Sequence, residues 1–229
     1  SVPDFAALPP NKTGRVEFNV NLKPDVFFGI SGSNNLFVRA AAKLSTPNVP
    51  SGVGGVEVSS QTSLITKITT QPTFRQLIYY HDPAFGSSGP LPPEVGKDTF
   101  FTVHWQVTNP GNDMNNVRLA GTLPSGVTWE NATSVTVGQP ELSFNTNTSE
   151  VIWNLGVLPR GIGVIGDKYE ASFRVKIKPS TNQKGSVITL IKGSKITATD
   201  SFTKQNIVLP LGDMITDDLT DRPNEGTVK

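Results

Sequence analysis

The chain has 229 residues, with 21 glycines, 18 prolines, only 17% charged residues and a net charge of +1. Its charges of both signs are scattered singly, so there is no basic stripe to track a phosphate backbone and no nucleic-acid partner is expected. Cysteine is absent, which excludes disulfides, thiolate metal sites and cysteine nucleophiles together, and no run reaches the roughly eighteen apolar residues of a membrane helix. The abundance of Thr, Ser, Asn and Val between turn residues predicts many short strands.

In chain order, the first strand pattern is VEFNVNL, where Val16, Phe18, Val20 and Leu22 alternate with Glu17, Asn19 and Asn21. That period of two predicts a half-buried strand with one wet face. Pro24 and a polar turn follow, then an apolar stretch that includes Phe37, Val38 and Ala42-Lys43-Leu44, then another around Leu64-Ile65-Thr66. The same order returns late in the chain. YEASFRVKIKPS, from Tyr169 to Ser180, repeats GRVEFNVNLKPD, and Phe18 and Phe173, like Pro24 and Pro179, stand 155 residues apart. Downstream, Ala42-Lys43-Leu44 matches Ser194-Lys195-Ile196 at an offset of 152, and Leu64-Ile65-Thr66 matches Met214-Ile215-Thr216 at 150. A repeat with small loop insertions and deletions accounts for the drift.

The intervening residues occur once. Phe74 to Tyr80 reads as a strand leading into a proline-rich loop that ends near Lys97. Thr99 to Thr108 is strongly strand-prone and stops at Asn109-Pro110-Gly111, a turn signal. Val117 to Thr122, Val127 to Glu130, Leu142 to Phe144 and Val151 to Leu155 are further short strands. The expected fold is all-β, with tandem immunoglobulin-like β-sandwiches of which the first is incomplete. Residues 1–72 would be the C-terminal half of one repeat, 73–222 a complete sandwich, and 223–229 a polar tail. A three-stranded half with one apolar face needs covering. The cover would come from further repeats of the same polypeptide, from strands donated by another copy, or from a local lid of Phe5–Leu8 and Val26–Ile30. Phe18 and Val20 are therefore candidate partner contacts.

From TVHWQVTNPG onward the sequence resembles the DUF11 domain, an immunoglobulin-like repeat of bacterial cell-surface proteins. The residues that carry the resemblance are Thr108-Asn109-Pro110-Gly111, Leu123-Pro124-Ser125-Gly126-Val127-Thr128-Trp129, Val151-Ile152-Trp153, Leu158-Pro159-Arg160-Gly161 and Ile196-Thr197-Ala198-Thr199-Asp200. The resemblance covers roughly residues 95 to 203. The resemblance implies a sandwich fold, a cell-surface or secreted location and a structural or adhesive role. It also implies that Asn109, Gly111, Leu123, Pro124, Gly126, Trp129, Trp153 and Asp200 are turn and core positions without chemistry.

Sites for chemistry are few. Gly-x-Ser-x-Gly is missing, and Gly86-Ser87-Ser88-Gly89 lies in a proline-rich loop with no helix to follow. Gly52-Val53-Gly54-Gly55 likewise precedes no helix and reads as a turn. His104 is expected on the polar face of its strand, and His81 beside Asp82 in a loop. Asp213, Asp217, Asp218 and Asp221 could share a calcium ion, but the Asp-x-Asp-x-Asp-Gly loop is absent and a solvated strand end is the plainer reading. No other cofactor is expected. Trp105, Trp129 and Trp153 lie within strands at positions that the resemblance makes core sites, so packing is expected of at least two of them rather than a sugar-stacking platform. Tyr79-Tyr80-His81 is the candidate contact surface for a protein or a glycan, because adjacent strand residues face opposite ways. Lys97, Lys195 and many asparagines are present, but spacing nominates no pair for a lysine–asparagine cross-link. The expected function is a non-enzymatic structural or adhesive module of an extracellular or cell-surface repeat protein, assembling with neighbouring repeats or other copies. The alternative is a domain that binds a surface glycan or protein.

Overall fold

The computed structural model describes residues 9, 11–21, 34–46 and 58–229. Within them the architecture is all-β, with one turn of 3-10 helix at Thr181–Gln183. Two strands, β1 (Phe37–Thr46) and β2 (Val58–Lys67), form an antiparallel hairpin by themselves. Everything after it is one sandwich. A four-stranded sheet has the order β3-β4-β9-β6, from Thr73–Tyr79, Thr99–Thr108, Tyr169–Ile177 and Val127–Val135. Facing it is a six-stranded sheet of order β11-β10-β5-β8-β7, from Asn206–Pro210, Thr189–Asp200, Met114–Thr122, Glu150–Leu158 and Ser143–Asn145. The short β12 (Met214–Ile215) joins β10. All strand pairs are antiparallel, and the chain crosses between sheets repeatedly, as in immunoglobulin-like sandwiches.

Alternation along the strands explains the core. Phe101, Val103, Trp105 and Val107 of β4 and Ala171, Phe173, Val175 and Ile177 of β9 are buried and meet Leu119, Trp153, Leu190 and Ile196 of the facing sheet. Trp105 packs edge-on to Phe173 at 5.2 Å, and its indole N–H donates to Gln76 Oε1 at 2.7 Å. The same oxygen accepts Ser194 Oγ at 2.7 Å, so one buried amide ties β3 and β4 to β10 across the sandwich. At the open end of the sandwich, Trp129 of β6 stacks on Phe144 of β7 at 5.3 Å.

Three expectations need correction. Residues 12–21 are not a strand, and Val16, Phe18 and Val20 are exposed, with Phe18 at 70%. Alternation favours a strand only where a neighbouring edge supplies hydrogen bonds, and none reaches this segment among the described residues. Leu22, Pro24, the glycine run at Gly52–Gly55 and the proposed lid residues 5–8 and 26–30 lie outside the described residues. The partial repeat is therefore seen as one hairpin, not three strands. Residues 223–229, finally, are no loose tail. Val228 is 2% exposed, its N–H and C=O bond Ser186 and Gly185, and Lys229 pairs with Pro93 and Val95. Just before it, Leu219 bridges to Ile78 and covers the β3 edge. An uncovered β3 would leave an apolar edge in water, so the sandwich extends from residue 73 to 229.

Candidate functional site: an open hairpin and its junction

In an antiparallel pair, residues directly opposite share a face. The register Val38↔Thr66, Ala40↔Leu64, Ala42↔Thr62 and Leu44↔Ser60 therefore gathers Val38, Ala40, Ala42, Leu44 and Leu64 on one side of the hairpin. The opposite side carries Arg39, Ser63, Gln61, Ser59 and Lys67, with Phe37 and Ile65 near its end. The first is the face of a sheet that expects a core. It has none among the described residues, since Leu44 is 57% and Leu64 67% exposed. A shallow groove over it is lined by Ala42, Leu44, Ser60 and Thr62 together with Val16.

The hairpin is fixed to the sandwich at its base by a dense polar joint. Asp200, fully buried at the end of β10, accepts Thr70 N and the Asn112 amide on Oδ2, and Phe202 N and Thr203 N on Oδ1. Burial, the largest single influence, works to raise the carboxyl pKa. It is outweighed by the N–H groups of Thr203, Thr70 and Phe202 and the Asn112 amide, which hold Asp200 below the usual carboxylate range. Asn112 also donates to Ile68 O at 3.0 Å, its backbone N–H bonds the Thr70 hydroxyl, and its Oδ1 accepts Asn35 N. Lys67 Nζ donates to Phe202 O at 3.0 Å and lies over the Phe202 ring. The bonds made by Asn35, Lys67, Ile68 and Thr70 join the segment before β3 to Asn112, Asp200 and Phe202, and the remaining ones hold Asn112 and the 201–205 turn around the Asp200 carboxylate. Sequence reasoning marked Asp200 as a motif position but not as a joint, because its partners lie 88 and 130 residues away.

The other motif residues serve turns and core. Asn109, fully buried, donates from Nδ2 to Asn112 O, Leu158 O and Pro159 O, while Gly111 is buried beside it. Leu123 is buried, Pro124 O accepts Val127 N, and Gly126 takes a φ of 89°, which only glycine adopts freely. Trp153 is fully buried and donates to Pro140 O at 2.8 Å.

A second polar cluster went unseen in the sequence. His104 bonds Glu170 Oε1 through Nδ1 and Asp82 Oδ2 through Nε2, each at 2.6 Å, with Tyr79 edge-on to the ring at 4.9 Å. Ionised carboxylates only accept, so the geometry is satisfied when both ring nitrogens carry hydrogen. For Glu170, burial is again the largest influence and raises its pKa. Hydrogen bonds from His104 and Gln106 and the charge of Lys168 prevail and hold it low. Asp82 also accepts Ala84 N and Phe85 N, so the cluster clamps the 82–86 loop onto β4 and β9. Both ring nitrogens are engaged by acids, and Ser172 Oγ donates to Ser134 O. Only the β4–β9 register, which sets Gln106 opposite Glu170, brings that acid to the histidine.

The remaining candidates are dispersed. Asp213 accepts Gly193 N, Asp217 accepts Gly226 N, Asp218 accepts Ile215 N, and Asp221 accepts Tyr80 N and His81 N. The four carboxylates thus cap separate turns, and among the described residues no group of three acidic or histidine side chains could hold a metal. Tyr79 is committed to His104, and Tyr80 packs on Phe101 and donates to Gly89 O at 2.6 Å, so both rings are partly buried. His81 is exposed. Lys97 and Lys195 are exposed, and no lysine is buried among the described residues. No described helix is long and apolar enough to cross a membrane.

No protein-family model and no curated protein matches this chain. Solved structures do. The full-length major pilin SpaD of Corynebacterium diphtheriae is similar at 11% identity and a TM-score of 0.43, over 90% of this chain and 64% of the pilin. The major pilin subunit BcpA of Bacillus cereus is similar at 10% identity and a TM-score of 0.42, over 69% of this chain and 57% of that subunit. The chain thus spans less than two thirds of the length of either pilin.

Proposed function

We propose that this chain is a non-enzymatic structural module of an extracellular or cell-surface protein built from tandem immunoglobulin-like sandwiches. The hairpin belongs to a second module, completed by strands from a neighbouring repeat of the same polypeptide or from another copy. One observation carries the reading. The apolar face of β1 corresponds, at the repeat offset of 152, to the face of β10 that is buried in the complete sandwich. Exposing Leu44, Leu64 and their neighbours forgoes roughly 1.5–3 kcal/mol for each large side chain. The rigid joint at Asp200 suits a spacer that transmits orientation from one module to the next. The DUF11 resemblance points to the cell surface.

Amide hydrogen exchange on the dilute chain, paired with sedimentation velocity over a wide concentration range, tests this. The amides of β1 and β2 are expected to exchange far faster than those of β4, β9 and β10 in the monomer. Concentration-dependent association that slows hairpin exchange would identify other copies as the completing strands, whereas a persistent monomer with an open hairpin assigns them to a neighbouring repeat. Hairpin protection equal to that of the sandwich in the monomer would overturn the proposal.

A further inference from the structure

The hairpin has two outer edges, and the internal repeat distinguishes them. In the complete sandwich β10 lies between β11 and β5, while β11 stands at the sheet border. The β1–β2 hairpin is the counterpart of β10 with β11 and β12, since Phe37–Thr46 shifted by 152 falls within Thr189–Asp200. The edge of β2 is then a natural border. The outer edge of β1 is the counterpart of the β10 edge that bonds β5. In that ladder Lys192 faces Thr122, Lys195 faces Ala120, Ile196 faces Leu119 and Thr197 faces Arg118. Transferred to β1, these acceptor positions are Ala40, Lys43, Leu44 and Ser45. From Ser194 onward the buried face agrees with the transfer, because Ser194, Ile196 and Ala198 are buried and correspond to Ala42, Leu44 and Thr46, whereas β10 has a register shift between Lys192 and Lys195 that β1 lacks, and Lys192, the counterpart of Ala40, is exposed.

We propose that the outer edge of β1, and not that of β2, accepts an antiparallel strand patterned like β5, delivered by a donor segment and not by the β5 of a second folded copy. The donor would place apolar residues equivalent to Val117 and Leu119 against the Leu44 face, with a small residue equivalent to Ala120 opposite Lys43. The β5 of a folded copy cannot serve. It is bonded by β10 on one side and β8 on the other, and Val117, Leu119 and Ala120 are buried. The occupant is therefore a strand with this alternation that has not yet closed into its own sheet, as in β-strand addition generally.

This rests on the reading of the hairpin as an incomplete module, and the test separates the two. A synthetic peptide with the sequence from Asn112 to Leu123, carrying a photoreactive residue in place of Arg118, is titrated into the full chain, irradiated and mapped by mass spectrometry. Saturable labelling around Leu44 and Ser45 is expected, falling about tenfold or more when Leu44→Asp is introduced into the chain or the peptide's own leucine at the Leu119 position is replaced by Asp. Leu44 is exposed in the free chain, so the thermal unfolding of the sandwich should not change in that variant. Labelling along Ser59–Ile65, labelling of β10 in the sandwich, or no saturable labelling would overturn the edge assignment. If the hairpin is open by hydrogen exchange yet the peptide avoids β1, only this inference fails. A hairpin already protected in the monomer removes the broader reading too.

Discussion

Asp200 concentrates four hydrogen bonds from three backbone N–H groups and one amide in a place without solvent. Replacing it by alanine leaves those donors buried and unpaired, and an unsatisfied buried group costs about 1–3 kcal/mol. Asp200→Ala is therefore expected to destabilise the sandwich by roughly 3 kcal/mol or more. A lower urea midpoint with an unchanged slope would show it. The amides of Ile68, Thr69 and Thr70 should also lose protection, because the same carboxylate anchors the hairpin. Asp200 ended a recognisable strand motif in the sequence, so its position was legible. Its role was not, since the residues that need it come from two other parts of the chain.

Among the elements, the C-terminal run shows how backbone proximity can override polar composition. DRPNEGTVK has the composition of a tail, yet Gly226 is packed so closely that a Cβ there would collide with the Thr216 carbonyl. The Thr216 hydroxyl donates to Gly226 O at 2.8 Å, and Gly226 N donates to Asp217 Oδ1 at 2.9 Å. Gly226→Ala should force the run off the sandwich and destabilise it by about 1–3 kcal/mol, the range for overpacking. Gly212→Ala, where a Cβ meets open space, should change stability by less than about 0.5 kcal/mol. Comparing the two melting temperatures checks the pair. The strands of the sandwich were easier to read. β4 has the bounds its sequence predicts, and β3 and β8 differ at their ends by a few residues, because alternation and β-branched content mark a buried strand wherever a partner exists. The failure at residues 12–21 is the converse case, with the pattern present but no ladder among the described residues to complete it.

For the whole molecule, Asp200 and Glu170 contribute to the response to acid. Asp200 and Glu170 have ordinary values near 3.8 and 4.5 and lie below them when folded. A lowered folded pKa means that the unfolded chain binds protons first as pH falls. The stability these groups contribute is therefore full above their ordinary values and is lost as pH drops through their folded ones. The melting temperature is expected to be insensitive to these two groups near neutrality and to fall from about pH 4 downward. Asp200→Asn should flatten part of that fall, because the residue no longer titrates. A melting temperature that rose on acidification over this range would contradict the assignment.

The sequence by itself determined the all-β class and most strand positions of the sandwich, because alternation and turn residues are local properties. Only the tertiary structure decided that Leu219 and Thr220 meet the β3 edge, that the last residues bond the 93–95 and 185–186 segments, that His104 sits between two acids, that Asp200 is the joint, and that residues 37–46 and 58–67 are an exposed hairpin. Each of these depends on which strands become neighbours. Long-range pairing is chosen by burial and hydrogen-bond satisfaction over the whole fold, and the residues it joins carry no mark of it in their order along the chain.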